Sequence, residues 1–252
     1  MSCDSEFHWT CAARTDVGPV RSRNEDAYLV RPQRGLWAVA DGMGGHAFGD
    51  LASRAVVDAL AALPPPVNMA DFIASARASL SHVNQALRGS ALERHVPVIG
   101  STVVALLACG RDAASLWAGD SRIYLYRQGR LQQLTRDHSQ AEELRARGAD
   151  LAAAAVSANM ITRAIGAADA IEFDVAPLVV RDGDVFLLCS DGLSNPVDEQ
   201  AIATVLANAD CERAAQELIA MALANGGRDN VTAVVVRAED LSADRTMINP
   251  AL

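Results

Sequence analysis

The chain has 252 residues, half of them hydrophobic, which is enough for one large domain or two small ones with a sizeable core. A formal net charge of −9, with no clustered Lys and Arg, argues against nucleic acid as a partner. The same charge requires that a phosphorylated ligand be met by local positive charge, for example metal ions.

The longest apolar runs, 103–109 and 151–156, fall well short of the roughly 20 residues that cross a bilayer, so no membrane contact is expected. The start, Met1-Ser-Cys-Asp-Ser-Glu6, is polar and acidic where an export signal is basic and then apolar. Five cysteines (3, 11, 109, 189 and 211) form no Cys-x-x-Cys pair. With Cys109 and Cys189 in apolar, strand-like runs, they are expected to be buried free thiols, in a reducing, cytoplasmic setting.

In chain order, residues 9–14 read as an edge strand and Thr15-Asp-Val-Gly-Pro19 as a turn. Arg21-Ser-Arg-Asn-Glu-Asp26 leads into a strand at 27–30. Glu25 and Asp26 then point to opposite faces, so one can face a site while the other braces the fold; a solvated turn is the competing reading. Leu36-Trp-Ala-Val-Ala-Asp41 is a buried strand that stops on a carboxylate, and Gly42, Gly44 and Gly45 let the backbone bend sharply after it. Helical spacing follows at 48–63, prolines 64–66 break the chain, and 69–87 is a second amphipathic helix.

Residues 100–108 form a strand buried on both faces. Residues 115–118, the turn Gly119-Asp120-Ser121 and 123–126 read as a hairpin, with Gln128-Gly129 as the next turn. Consecutive strands joined by tight turns predict antiparallel sheet. The 137–168 stretch differs: Arg136-Asp-His-Ser139, a short helix about 140–147 and an alanine-rich run at 152–158 suit a flap between strands or an ordinary helical connection. His138 opens that stretch, and His8, His82 and His95 read as surface or helix-face residues. Strands at 172–178 and 185–189 follow, the second ending in Ser190-Asp191-Gly192. Helices at 198–207 and 211–224 precede Gly226-Gly-Arg-Asp-Asn230 and a last strand at 231–236. With no repeat and no linker, residues 1–240 read as a single domain and 241–252 as a loose tail.

Four aspartates stand at strand edges or turns: Asp41, Asp120, Asp191 and Asp229, three of them followed by or beside Gly. Gathered carboxylates without a cation raise one another's pKa and cost stability. An all-oxygen set suits Mg²⁺ or Mn²⁺, and no His or Cys spacing suits zinc. Two such ions roughly 3.5–4 Å apart can share a water and lower its pKa to give hydroxide, which attacks a phosphorus in line. A guanidinium would hold the phosphate oxygens, and an acid such as His46 would protonate the leaving oxygen.

Arg21-x-x-Asn-Glu-Asp, Asp41-Gly-Met-Gly-Gly-His, Gly100-Ser-Thr, Gly119-Asp-Ser-Arg, Thr162-Arg-Ala-Ile-Gly166, Ser190-Asp-Gly-Leu and Gly227-Arg-Asp-Asn-Val-Thr232 occur in that order. Across residues 9–237 the chain resembles the metal-dependent PP2C-type (PPM) protein serine/threonine phosphatases in their compact bacterial form. The resemblance implies an α+β fold, a four-layer αββα sandwich of two antiparallel sheets flanked by helix pairs, with a small flap at about 137–168. It implies two core Mn²⁺ or Mg²⁺ ions, with Asp41 bridging them, Gly42 contributing its carbonyl, and Asp191 and Asp229 holding the second. Asp120, with Asp191, matches the ligands of a third, weaker ion. Arg21 takes the place of the phosphate-binding arginine, and Glu25 and Asp26 match acids that orient metal-bound waters. Some animal members have a histidine directly after the Asp-Gly pair, where this chain has Met43; His46, three residues on, stands as a candidate acid beside a structural histidine or a water that supplies the proton.

The implied activity is hydrolysis of phosphoserine and phosphothreonine in proteins by a hydroxide bridging two metal ions, with no phosphoenzyme. A cognate Ser/Thr kinase and its substrates are the implied partners, the chain acting as a monomer. The alternative is a non-catalytic phosphoprotein-binding regulator of the same fold, which would usually have lost a metal ligand; all four aspartates are present.

Overall fold

The structure, a computed structural model, describes residues 3, 6–44, 48–147 and 160–241. Strands β1 (Phe7–Asp16), β2 (Asp26–Arg31) and β3 (Leu36–Met43) precede helices α1 (Gly49–Ala61) and α2 (Met69–Glu93). Strands β4 (Gly100–Ser101), β5 (Val103–Cys109), β6 (Asp112–Ala118), β7 (Arg122–Arg127) and β8 (Arg130–Gln133) follow, then α3 (Gln140–Ala146). The chain ends with β9 (Asp174–Val179), β10 (Val185–Cys189), α4 (Asp191–Ser194), α5 (Glu199–Asn208), α6 (Cys211–Ala224) and β11 (Val231–Asp240).

One sheet has the order β1-β11-β10-β7-β8 and the other β2-β3-β5-β6-β9, with β4 paired to β3. Every pairing is antiparallel. Period-two alternation explains why β3 reads as an unbroken apolar run. Leu36, Ala38 and Ala40 pack with Val56, Leu60, Phe72 and Leu80 of α1 and α2, while Trp37 and Val39 join the layer between the sheets. Trp9, Leu106, Ile123, Phe186 and Val234 complete that middle layer. On the far side, Tyr124, Leu187, Ala233 and Val235 pack with Ile202, Leu206, Leu218 and Ile219 of α5 and α6. The four layers expected from the resemblance are therefore present.

Side-chain caps set several helix starts: Asn68 accepts from the Asp71 amide, Asp198 from Ala201 and Asp210 from Arg213. The β7–β8 hairpin turns at Gln128-Gly129 as expected, with Arg127 opposite Arg130.

Three expectations change. The proposed hairpin about Gly119-Asp120-Ser121 does not form: Ala118 pairs with Val103 in one sheet, whereas Arg122 pairs with Cys189 in the other. Residues 119–121 carry the chain between sheets. The corner closes because Gly119 takes φ +113°, and a Cβ there would lie 2.6 Å from the Thr102 side chain. Strand β3 does not stop on Asp41 but runs on to Met43, pairing Gly42 with Ser101, and the strand expected over 100–108 is split at Thr102.

The third change is covalent. Cys109 is not a free thiol; it forms a disulfide with Cys3, 106 residues away, while Cys11, Cys189 and Cys211 are free. Cys109 lies at the half-buried end of β5, where the N-terminal segment passes, so proximity overrides the expectation of a buried thiol. Arg111 reinforces the same junction, donating to Glu6 and Asp240. Thiol titration of the denatured oxidised protein should find three reactive cysteines, rising to five after reduction, and reduction should destabilise the fold by about 2–4 kcal/mol. An unchanged melting temperature on reduction would remove the bond from the stability account.

The flap is described in part: β8 leads through residues 134–139 into α3, one residue shorter than expected, and the chain returns at 160–173. The alanine-rich run at 152–158, the tail beyond Leu241 and His46 lie outside the described residues.

Candidate metal centre and phosphate cleft

Asp41 sits near the end of β3, where polar residues of the neighbouring segment hold its backbone on both sides. Its amide donates to Thr102 Oγ1 at 3.0 Å, and its carbonyl accepts from the Thr102 amide at 2.8 Å and Ser101 Oγ at 3.0 Å. This is the structural use of Gly100-Ser-Thr: two hydroxyls at the break between β4 and β5 fix the acid's backbone. Directly after it, the Gly42 amide donates to the Glu25 carbonyl at 3.1 Å. A Cβ on Gly42 would lie 2.0 Å from the Gly49 carbonyl oxygen, so α1 can start against the strand only if residue 42 has no side chain.

Asp26 faces Asp41 across the β2–β3 ladder. Its Oδ2 accepts from Ser190 Oγ and Thr232 Oγ1, both at 2.7 Å, which ties β2 of one sheet to the end of β10 and to β11 of the other. Its Oδ1 is buried without a partner among the described residues. Glu25 points the other way and lines the cleft. The opposed faces expected for this pair are observed: one acid braces and one faces the site.

Asp191 opens α4 at the end of β10, and Asn195 Nδ2 donates to its Oδ2 at 3.2 Å. Asp229 precedes β11 and accepts from Arg21 Nη2 at 2.7 Å. Asp120 lies on the corner between sheets, its Oδ1 buried and without a partner among the described residues. A cleft of about 370 Å³ is lined by Arg21, Glu25, Asp41, Gly42, Asp191 and Asp229, together with Arg23, Ile161 and Asn230. Asp120 is not on that lining but close enough to Asp191 and Asp41 to repel both.

The electrostatics follow from this crowding. Burial, then repulsion from Asp26, Asp191, Asp120 and Asp229, holds the Asp41 carboxyl well above the usual carboxylate range. Burial and the Asp191 charge push Asp120 up to about 7. Burial raises Asp26 to about 7 against the pull of its two hydroxyl donors. Asp191 is raised by burial and by Asp229, and a hydrogen bond with the Asp41 carboxyl limits the rise. Arg21 is strengthened as a cation, chiefly by its bond to Asp229.

Among the described residues no three His, Cys, Asp or Glu side chains close into a ready ligand sphere. The donor set nevertheless fits divalent ions. It consists of oxygens, three of its carboxyls (Asp41, Asp120 and Asp191) have raised pKa values that a cation would relieve, and Asp120 offers a buried oxygen with no other partner among the described residues.

Residues of the same motifs that were given no role prove to hold the site. Asn230 accepts from the Glu25 amide at 2.7 Å and donates to the carbonyls of Val17 and Arg23 at 2.8 and 2.9 Å, fixing the Arg21–Asp26 loop. Thr102 Oγ1 lies 2.8 Å from Ser121 Oγ, joining the Asp41 strand to the Asp120 corner. His138, read only as the residue that opens the flap, is buried: burial lowers its pKa, and its ring stacks on Trp117. The available signal was polar residues in otherwise apolar strand ends.

A family model described as Protein phosphatase 2C matches residues 20–226. The chain is 37% identical over 239 residues to the serine/threonine protein phosphatase PstP of Mycobacterium tuberculosis, covering 93% of this chain and 46% of that protein. It thus spans about half the length of that relative. Among solved structures, PppA of Pseudomonas aeruginosa, described as a key regulatory component of T6SS, superposes with a TM-score of 0.86 at 43% identity, covering 92% of this chain and 98% of that one. The PstP catalytic domain in complex with two manganese ions gives 0.84 at 37% identity, over 93% and 100%.

Proposed function

This chain belongs to the protein phosphatase 2C family, and we propose that it hydrolyses phosphoserine and phosphothreonine in proteins by direct attack of water on phosphorus, without a phosphoenzyme. The observation that carries the reading is one cleft lined by Asp41, Asp191 and Asp229, with a guanidinium beside them. Asp41, Asp191, Asp229 and the Gly42 carbonyl would hold two Mn²⁺ or Mg²⁺ ions, and Asp120 with Asp191 a third, weaker one. The manganese bound in the PstP structure supports that choice. Such ions, when bound, activate water and offset charge on the phosphoryl group.

The chain's own groups do the rest. Arg21, about half exposed, can turn its guanidinium from Asp229 to two phosphate oxygens. Asp26 keeps one carboxylate oxygen free for a water while its other oxygen is tied down, and Glu25 presents its carboxylate at the cleft wall. The proposal treats residues 1–240 as one catalytic unit acting as a monomer against a Ser/Thr kinase. Among the described residues no helix is long and apolar enough to cross a membrane; the Cys3–Cys109 bond weighs against a reducing compartment.

The test is phosphate release from a phosphothreonine peptide with Mn²⁺ and with EDTA. Metal-dependent release supports the reading; none from a folded protein that binds Mn²⁺ would leave the phosphoprotein-binding regulator. Arg21→Ala should raise KM for small phosphoesters about tenfold, the worth of one charge-assisted contact, with a smaller change in kcat. An unchanged KM would take Arg21 out of phosphate binding.

A further inference from the structure

The Arg136-Asp-His-Ser139 stretch has no part in the cleft chemistry described above, yet it docks on the corner that carries Asp120. We propose that His138 is a positioning residue that fixes the Asp120 corner for catalysis and ties it to the base of the 137–168 segment. The proposal rests on the phosphatase reading and deepens it.

Gly119 is held on both sides by this one residue. Its amide donates to His138 Nδ1 at 3.1 Å, and its carbonyl accepts from the His138 amide at 2.9 Å. An accepting Nδ1 places the ring proton on Nε2, which points at Asp174 Oδ2, 3.3 Å away. Asp174 is oriented in turn by Arg163 Nη1 at 2.7 Å. The ring lies nearly parallel to Trp117, with centroids 6.2 Å apart, and Trp117 Nε1 donates to the Arg136 carbonyl at 2.8 Å. Asp137 makes the second prong, accepting from Nε and Nη2 of Arg122, which lies two residues beyond Asp120.

The clasp reaches the cleft. The His138 carbonyl accepts from the Thr162 amide at 2.8 Å, and Ser139 bridges to Ile161, which lines the cleft wall. Further on, Ile165 and Ser101 exchange backbone bonds at 2.9 Å, and Ser101 Oγ holds the Asp41 carbonyl. One residue therefore joins the Asp120 corner to the segment that returns to the Asp41 strand: its ring and amide hold Gly119, and its carbonyl holds Thr162. A ligand acid fixed by neighbours that do not touch the ion is the arrangement in which loss of a neighbour lowers metal affinity or activity about 10–100-fold.

The test compares His138→Ala with His138→Asn. Both lack the ring, but Asn Oδ1 stands close to the place of Nδ1 and can accept from Gly119. H138A should lower kcat on a phosphothreonine peptide at least about tenfold with little change in KM. It should also weaken the weakest Mn²⁺ step in calorimetry and speed amide exchange across residues 117–123. H138N should restore most of all three. Should H138A not fold, H138Q replaces it, since its longer amide overshoots Gly119. A folded H138A with wild-type kcat, Mn²⁺ titration and exchange, or an H138N no better than H138A, would overturn the proposal. If the wild-type protein released no phosphate, the phosphatase reading would fail, while Mn²⁺ titration and exchange would still decide whether His138 holds the corner.

Discussion

Asp41→Asn should leave a folded protein whose turnover on a phosphothreonine peptide with Mn²⁺ is at least about a thousandfold lower. Several kcal/mol of transition-state stabilisation rest on the ions, and each ~1.4 kcal/mol is tenfold in rate. The backbone of residue 41 is held by Ser101 and Thr102 through its amide and carbonyl, so the substitution leaves those bonds in place. In the metal-free protein it should raise the melting temperature, because it removes a buried carboxyl that Asp26, Asp191 and Asp120 repel. Mn²⁺, which should stabilise the wild type by about 2.7 kcal/mol at a hundredfold excess over Kd, should then do little. A variant that kept a tenth of wild-type turnover, or that failed to fold, would refute this account of Asp41.

Stripped of divalent ions, the protein should lose stability as pH rises from about 4 to about 7, the reverse of ordinary acid unfolding. Asp26 and Asp120 titrate near 7 in the folded state, and Asp41 and Asp191 are also raised, against an ordinary value of 3.8. At these four carboxyls the folded chain binds more protons than the unfolded one across that window, against the opposite contributions of Glu142, Asp174 and His138, whose values are lowered. The stability of these groups is therefore full below about pH 4 and is lost as pH climbs through their folded values. With Mn²⁺ present the sign reverses, because an ion binds the deprotonated carboxylates and competes better as pH rises. Calorimetric melting in EDTA and in Mn²⁺ between about pH 4.5 and 8 checks both halves. A metal-free melting temperature that stayed level or rose through the window would show that the acids are less crowded than described.

Most of the strand and helix pattern was legible in the chain because its causes are local. Unbroken apolar runs marked β3, β5 and β10, and the Asp198 and Asp210 caps stand where two helices begin. The acids were legible as well, since Asp41, Asp191 and Asp229 each stand at the edge of an apolar run, and the structure brings them to one cleft. What misled was sheet membership. Local sequence sees Gly119-Asp120-Ser121 as a tight turn, but cannot show that the strands on either side find partners 15 and 67 residues away, Val103 for Ala118 and Cys189 for Arg122.

By itself, then, the sequence determined the element types, the two-faced burial of β3 and β5 and the acidic oxygen-donor chemistry, each following from residue type and backbone period. Only the tertiary structure decided which sheet each strand joins, that Cys109 meets Cys3, that Asn230 locks the Arg21 loop, and that His138 grips the Asp120 corner. These rest on contacts between residues far apart in the chain. Their side chains carry the same local signals as surface polar residues until the packing of the two sheets buries them and leaves each donor and acceptor to find a partner.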